Sequence, residues 1–316
     1  YITQKNKYLI GPDGTAIGIH APRKAEKAKE KNNELSKEKL NVKKMMVLAG
    51  GAVLLFSLFM VLFDKDVIGA VIYTACIVVP AYVITDSSLS KIEKQRIWVI
   101  FIIAFFVIFF WSAFEQAGAS LTYFADEQTD RNIFGWEIPA SWFQSFNPIF
   151  VVAFAPLFSM MWLRLGRKNM EPASPTKQAI GLFLLSLGYL LIAFGVKGAA
   201  PGAKVSMLWL TGLYFIHSMG ELALSPIGLS MVNKLSPVRF ASLMMGVWYL
   251  SMATANKFAG VLSGLYPEAG KPKSFIVFQI TDLYDFFMVF VIMSAIASVI
   301  LFALSKTLQN LMHGVR

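Results

Sequence analysis

An all-α, polytopic membrane protein is the fold class this sequence predicts, and three observations predict it. Of 316 residues, 56% are apolar and only 15% are charged, where a soluble domain carries about a quarter charged residues. Those charges are bunched between apolar stretches, each long enough to cross a bilayer as a helix, for which roughly 18 residues suffice. Finally, Lys and Arg are divided unevenly between alternate loops, as the insertion of multi-span chains requires.

The apolar stretches lie near 44–63, 66–86, 96–125, 141–163, 177–197, 205–234, 238–265 and 277–305. Eight spans put both ends of the chain on one side. Loops 1–44, 87–96, 164–177, 234–239 and 306–316 hold 22 Lys and Arg, the opposite loops only 6. The basic side is therefore expected to be the cytoplasm. Loop 126–140, DEQTDRNIFGWEIPA, is acidic with an aromatic, the complement expected outside. The formal charge of +10 reflects this asymmetry and is no nucleic-acid footprint. Cys76, the single cysteine, sits in an apolar segment, which excludes a disulfide and a cysteine-based metal site. The chain opens at Tyr1 without methionine or signal-peptide pattern, so a piece of a longer protein is expected. Residues 21–44 interleave Lys and Glu and read as a solvated, partly helical linker, with a lipid-headgroup or partner contact as the alternative. Upstream, YLIGPDGTAIG follows no strand, so its glycines read as a turn at a helix exit rather than a phosphate loop.

A charge at the centre of a span costs roughly 2.5–3.5 kcal/mol on insertion scales, so the intramembrane polar residues are the candidate functional groups. Trp111 and Glu115, four apart in FWSAFEQAG, share a helical face. The indole can shield a carboxylate from water, and its face offers a platform for an ammonium group. Glu115 either faces a water-accessible cavity, the favoured reading, or snorkels to the outer interface. Glu221 and Ser225 repeat the spacing in GELALSPIG, with Glu221 too deep to snorkel. It either contacts a substrate or is hydrogen-bonded between helices. Pro226 should kink or loosen this helix, and Gly220 and Gly228 allow close approach of neighbours. A carboxylate beside a hinge is where alternating-access carriers place substrate contacts. Asn147, before Pro148, either donates to a ligand carbonyl or satisfies a kinked backbone. Trp248 lines a cavity or is packing. His217 and Glu221 are four apart, but two residues on one helix do not make a metal site. Lys257 either reaches an external carboxylate or snorkels, and snorkelling is favoured. Two carboxylates at membrane depth without an assured cation require protonation, or partners on helices outside this chain. Both point to a proton-linked carrier.

FWSAFEQAGASL, then NIFGWEIPASWFQSFNPIFVVAFAPLFSMMW, then GELALSPIGLSMVNKLSPVRFASLMMGVWYLS resemble the proton-dependent oligopeptide transporter family of the major facilitator superfamily. The resemblance covers nearly the whole chain but only the C-terminal half of the family's two-bundle architecture. It implies the end of helix six and a basic cytoplasmic linker over 1–43, an inserted bacterial-type helix pair over 44–86, and the C-terminal six-helix bundle, helices seven to twelve, over 87–316. It implies proton-coupled symport of di- and tripeptides in the bacterial inner membrane, with the proton as coupling ion and no other cofactor. The implied partners are the peptide, the lipid bilayer and an N-terminal six-helix bundle of the same protein. By the same resemblance, Glu115 is the proton-linked carboxylate, paired with a basic residue of that other bundle, and Trp111 lines its pocket. Asn147 bonds the peptide backbone, Glu221 receives the amino terminus with Ser225 alongside, and Trp248 walls a side-chain pocket. The family's helix-one acidic and arginine motif, its helix-four basic residue and its helix-five signature are absent here.

Variable peptide side chains need roomy pockets walled by adaptable groups such as the tryptophans and Met244 or Met245. Alternatives are a relative carrying nitrate or peptide-like drugs, or a non-catalytic membrane scaffold. An intramembrane enzyme is not expected, because HExxH, GxGD and aspartate-rich motifs are missing.

Overall fold

The computed structural model describes residues 42–199, 202–268, 271–276 and 278–315. The upstream turn and most of the Lys/Glu-rich linker lie outside the described residues. The chain divides into two compact units, Tyr1–Gly51 and Ala52–Arg316. Of the first, only the opening of helix α1 is described.

The helices in order are α1 (Val42–Leu62), α2 (Val67–Ile84), α3 (Lys91–Phe114), a short α4 (Ser120–Glu127), α5 (Phe146–Arg167), α6 (Ser174–Val196), α7 (Met207–Leu235), α8 (Ala241–Ser263) and α9 (Leu283–Leu311). Their starts follow from local chemistry. Asp66 caps α2 by accepting the Gly69 N–H at 3.0 Å. Ser90 and Glu93 close a reciprocal capping box on α3, satisfying donors that the first turn of a helix leaves unpaired. Pro175 occupies the first turn of α6, where its missing N–H costs nothing. Asp282 caps α9 through the Asp285 N–H at 2.8 Å. That cap moves the start of the last span from the expected 277 to Leu283. The apolar residues before it form a hairpin, Lys273–Phe275 against Phe278–Ile280, because a run this short and β-prone does not declare helix or strand by hydropathy alone.

Among the described residues, six helices are long and apolar enough to cross a membrane: α1, α2, α3 with α4, α5, α6 and α9. The chain is an all-α, multi-pass membrane protein. The two further spans read from the sequence, α7 and α8, run 29 and 23 residues, or about 43 and 34 Å at 1.5 Å per residue. They are long enough but more polar. Their polar groups turn inward: His217 is 2% exposed, Ser218 0% and Ser251 4%.

The core forms where α6 packs along α7 and α9. Tyr189 stacks on Phe290 with ring centroids 4.7 Å apart, and Phe286 and Phe287 pack beside this pair, both fully buried. Two glycines set the approach of α6 to α7. A Cβ on Gly181 would meet the Gly220 carbonyl at 2.9 Å, and one on Gly220 would meet the Gly181 carbonyl at 3.0 Å. Helix association in lipid depends on such packing because burial against lipid tails supplies no hydrophobic gain. By contrast, α5 has no buried residue along its 22-residue length. It rests on α7 through Phe150 and Phe154, each 5.4 Å from Phe215.

Helix α2 docks on α8 through polar contacts. Lys257 does not snorkel: it forms an ion pair with Asp66 at 2.5 Å, realising the alternative that the sequence left less favoured. The turn at Asp64 and Lys65, both at positive φ, presents Asp66 to it. Farther along, Cys76 Sγ lies 3.2 Å from Thr254 Oγ1. The Lys257 ammonium, then the Gly69 N–H, hold the Asp66 carboxyl below its ordinary value of 3.8. A carboxyl held low in the folded state stabilises above its unfolded value and loses that contribution as pH falls through the folded one. Asp66→Asn is therefore expected to lower the thermal midpoint of the purified protein at pH 7. The gap from wild type should narrow as pH drops below about 3.8, which a pH series of melting curves reads directly.

Candidate functional site

Helix α3 does not continue through the apolar run that the sequence assigns to 96–125. It stops at Phe114, Glu115–Gly118 form a 3-10 turn, and α4 resumes at Ser120. A break at membrane depth stands only where the freed backbone groups find partners, and two side chains supply them. Gln116, fully buried, donates through Nε2 to Ser112 O at 3.1 Å and Ala259 O at 3.0 Å, and Ser120 Oγ donates to its Oε1 at 2.7 Å. Tyr189 donates from α6 to Ala113 O at 2.6 Å. Glu115 thus sits on the break itself, exposed, instead of on a continuous helical face with Trp111. Trp111 packs edge-on against Phe110 and Phe114, at 5.5 and 5.2 Å, and its indole N–H is buried without an acceptor. Tyr189→Phe should lower stability by about 1 kcal/mol, the typical net worth of one such bond. A fall of a few degrees in melting temperature, with secondary structure unchanged, checks this.

Across from the break, the start of α5 meets α7. Asn147 Nδ2 donates to Glu221 Oε2 at 2.9 Å and to Ser218 Oγ at 3.1 Å, and Ser218 in turn donates to Tyr214 O at 2.8 Å. Both amide hydrogens of Asn147 are therefore committed within the protein. The amide offers a ligand its carbonyl oxygen, an acceptor, where the sequence suggested a donor. Glu221 is half-buried and its Oε1 stays open to a further donor. The charge on Glu221 reaches Glu115, so the two carboxylates belong to one electrostatic site. Among the described residues, neither forms an ion pair with Lys or Arg.

Ser225, half-buried one turn beyond Glu221, makes no hydrogen bond to it among the described residues. Pro226 lies inside α7, which runs on past it to Leu235 as a helix. Trp248 is 2% exposed and packs on Gly228, where a Cβ would stand 2.2 Å from the indole. In this chain its ring belongs to the packing between α7 and α8. Gln178 reaches the same region, donating to Leu224 O at 3.0 Å. His217 is buried, with Nε2 3.2 Å from Leu185 O and its ring 4.8 Å from that of Tyr189. No cluster of three or more metal-binding side chains occurs among the described residues. Gln116, Tyr189 and Ser218 were missed from sequence. The one readable signal was Gln116, a carboxamide in an apolar run beside Glu115.

A set of long apolar helices, one broken at a carboxylate and another holding a second carboxylate against an amide, defines a membrane protein with a polar site between its helices. Residues 41–277 match the model of the POT family, PTR2, and the chain belongs to that family. It is 38% identical over 185 residues to the peptide transporter YePEPT of Yersinia enterocolitica, covering 58% of this chain and 36% of that protein. A di-/tripeptide transporter of Lactococcus lactis is 28% identical, over 73% of this chain and 45% of its own length. The crystal structure of the peptide transporter POT, in a glutamate-to-glutamine mutant complexed with alafosfalin, superposes with a TM-score of 0.69. Its identity is 27%, covering 88% of this chain and 55% of that one. A POT family transporter in complex with a thioalcohol-conjugated peptide superposes with a TM-score of 0.64 at 27% identity, over 86% of this chain and 55% of that one. The chain spans less than half the length of these two sequence relatives.

Proposed function

We propose that this chain is the C-terminal half of a proton-coupled symporter for di- and tripeptides, working by alternating access. The observation that carries the reading is the Asn147–Glu221 pair with a second carboxylate, Glu115, on a helix break, neither carboxylate paired with Lys or Arg among the described residues. A short peptide carries an ammonium group at one end and a carboxylate at the other. Oε1 of Glu221 is available to accept from the ammonium group, and Oδ1 of Asn147 to accept from a peptide N–H. Cations on an N-terminal six-helix bundle would take the peptide carboxylate and pair with Glu115. Proton binding at Glu115 would break that pair and bias the two bundles between inward- and outward-open states. No covalent chemistry is involved, and the proton is the only coupling species.

Ser225 and Trp111 would border the same cavity. Trp248, seated on Gly228, would act by holding α7 in place around Pro226, or wall a side-chain pocket once the bundles close. The positive-inside bias supports cytoplasmic positions for both ends of the chain, and the bacterial origin of its relatives supports a bacterial inner membrane. Helices α1 and α2 would be the inserted pair between the bundles. The test is uptake of a labelled dipeptide by the full-length protein in proteoliposomes under an acid-outside gradient. Accumulation that collapses with the gradient supports the reading, and gradient-insensitive uptake rules out proton coupling.

A further inference from the structure

The 3-10 turn at Glu115–Gly118 sends two neighbouring side chains in different directions. With three residues per turn, consecutive side chains point about 120° apart. Gln116 is fully buried, whereas Glu115 is exposed. Whatever fixes the direction of the first therefore fixes that of the second. The Gln116 amide is held at three points. Nε2 donates to Ser112 O in α3 and to Ala259 O in α8, and Oε1 accepts from Ser120 Oγ in α4. Both amide hydrogens are thereby used. The bonds reach both sides of the break and a helix 143 residues away in sequence. A buried amide that only satisfied its own helix would have no need of the bond to α8.

Helix α8 is itself anchored at this level. Lys257 and Ala259 are two residues apart, about 200° round the helix, and so face opposite ways. Helix α2 holds the far side through the Lys257–Asp66 ion pair and the Cys76–Thr254 contact, while the near side holds Gln116. We propose that Gln116 is a positioning residue: by joining the break to α8, it fixes where the Glu115 carboxylate stands. The consequence for transport rests on the reading of Glu115 as the proton-coupling group, but the placement itself does not. A carboxylate free to swing would meet a cation of the other bundle in many geometries, and its proton would no longer bias the bundles in step. Working groups need to be held within about 0.5 Å by their supporting residues.

The test uses the full-length protein with its native cysteines replaced and nitroxide labels at Glu115→Cys and Val299→Cys. Val299 is exposed on α9, so both labels sit on this chain, and pulsed dipolar resonance reads the distance between them. One narrow distribution is expected with Gln116 in place. Gln116→Leu, which removes all three bonds, should give a clearly broader one. Ser120→Ala removes only the bond to Oε1. It should broaden the distribution less, and it covers the case where Gln116→Leu fails to fold. Gln178→Leu removes another buried amide, bonded to Leu224 O on α7, and should lower the thermal midpoint without broadening. In the unlabelled protein, Gln116→Leu should lose gradient-driven accumulation of dipeptide while counterflow exchange keeps an apparent affinity near wild type. An unchanged distribution in both Gln116→Leu and Ser120→Ala overturns the proposal, whatever transport does. Equal broadening in Gln178→Leu would mean general loosening and overturns it too. Broadening with undiminished accumulation also overturns it, and full accumulation by Glu115→Gln alongside would show that the reading of Glu115 fell with it.

Discussion

Glu221→Gln in the full-length protein is expected to weaken dipeptide binding by at least about 30-fold while leaving the protein folded. Removing one partner of a desolvated, hydrogen-bonded charge pair costs about 2–5 kcal/mol, and every 1.4 kcal/mol is tenfold. The fold survives because the bond that ties α5 to α7 runs from Asn147 Nδ2 to Glu221 Oε2. A glutamine carbonyl oxygen at the same place accepts that bond as well. Only the negative charge is lost, and with it the attraction for an ammonium group. The decisive control is a dipeptide with an acetylated amino terminus, which has no ammonium group to lose. Wild type should bind it far more weakly than the free dipeptide, whereas Glu221→Gln should bind the two within a few-fold of each other. If the variant still prefers the free amine by the wild-type ratio, the amino terminus is received elsewhere and the assignment fails. A thermal midpoint close to wild type separates this outcome from simple unfolding.

The two carboxylates were legible in the sequence because a charge in a run of apolar residues stands out against a cost of several kcal/mol. What surrounds them was not. The break after Phe114 leaves Gln116 as its one mark in residues 96–125, because its other partner is a tyrosine hydroxyl 76 residues away. Ser218 looked like any serine in a membrane helix. It bonds the carbonyl four residues back, as such serines often do, and its link to Asn147 spans 71 residues. Lys257 was misjudged for the same reason. Snorkelling needs only the local sequence, but the ion pair with Asp66 depends on α2 folding back beside α8. Helices α7 and α8 were recognised as spans by the length of their apolar stretches, although they are more polar than the other six. Tertiary packing decides the rest: Gly228 was read as a site of close approach, but nothing in the sequence names Trp248 as the residue that fills it.

Glu115→Gln is expected to abolish gradient-driven accumulation of peptide while sparing counterflow exchange of labelled against unlabelled dipeptide. A pH difference of two units across the membrane is worth about 2.7 kcal/mol for one proton, enough to sustain roughly 100-fold accumulation. A carrier that cannot take up the proton can still bind peptide on either side and reorient, so it equilibrates peptide without concentrating it. The substitution is chemically narrow. Glu115 is exposed, and its backbone N–H, which bonds Trp111 O and Ala113 O at the end of α3, is untouched. The Gln116 and Tyr189 bonds that hold the break are equally unaffected. The electrostatic consequence reaches Glu221, which no longer faces a second negative charge. At a given pH its affinity for an ammonium group should then hold or fall slightly, not rise, since a neighbouring carboxylate adds to the pull on a cation. The variant should therefore equilibrate dipeptide at an apparent affinity near that of wild type, with an inside-to-outside ratio close to one at any imposed gradient. Accumulation equal to wild type would place the coupling proton on another group and leave Glu115 a bystander on its broken helix. Loss of counterflow as well would make the carboxylate a substrate ligand first, with the proton following the peptide instead of driving it.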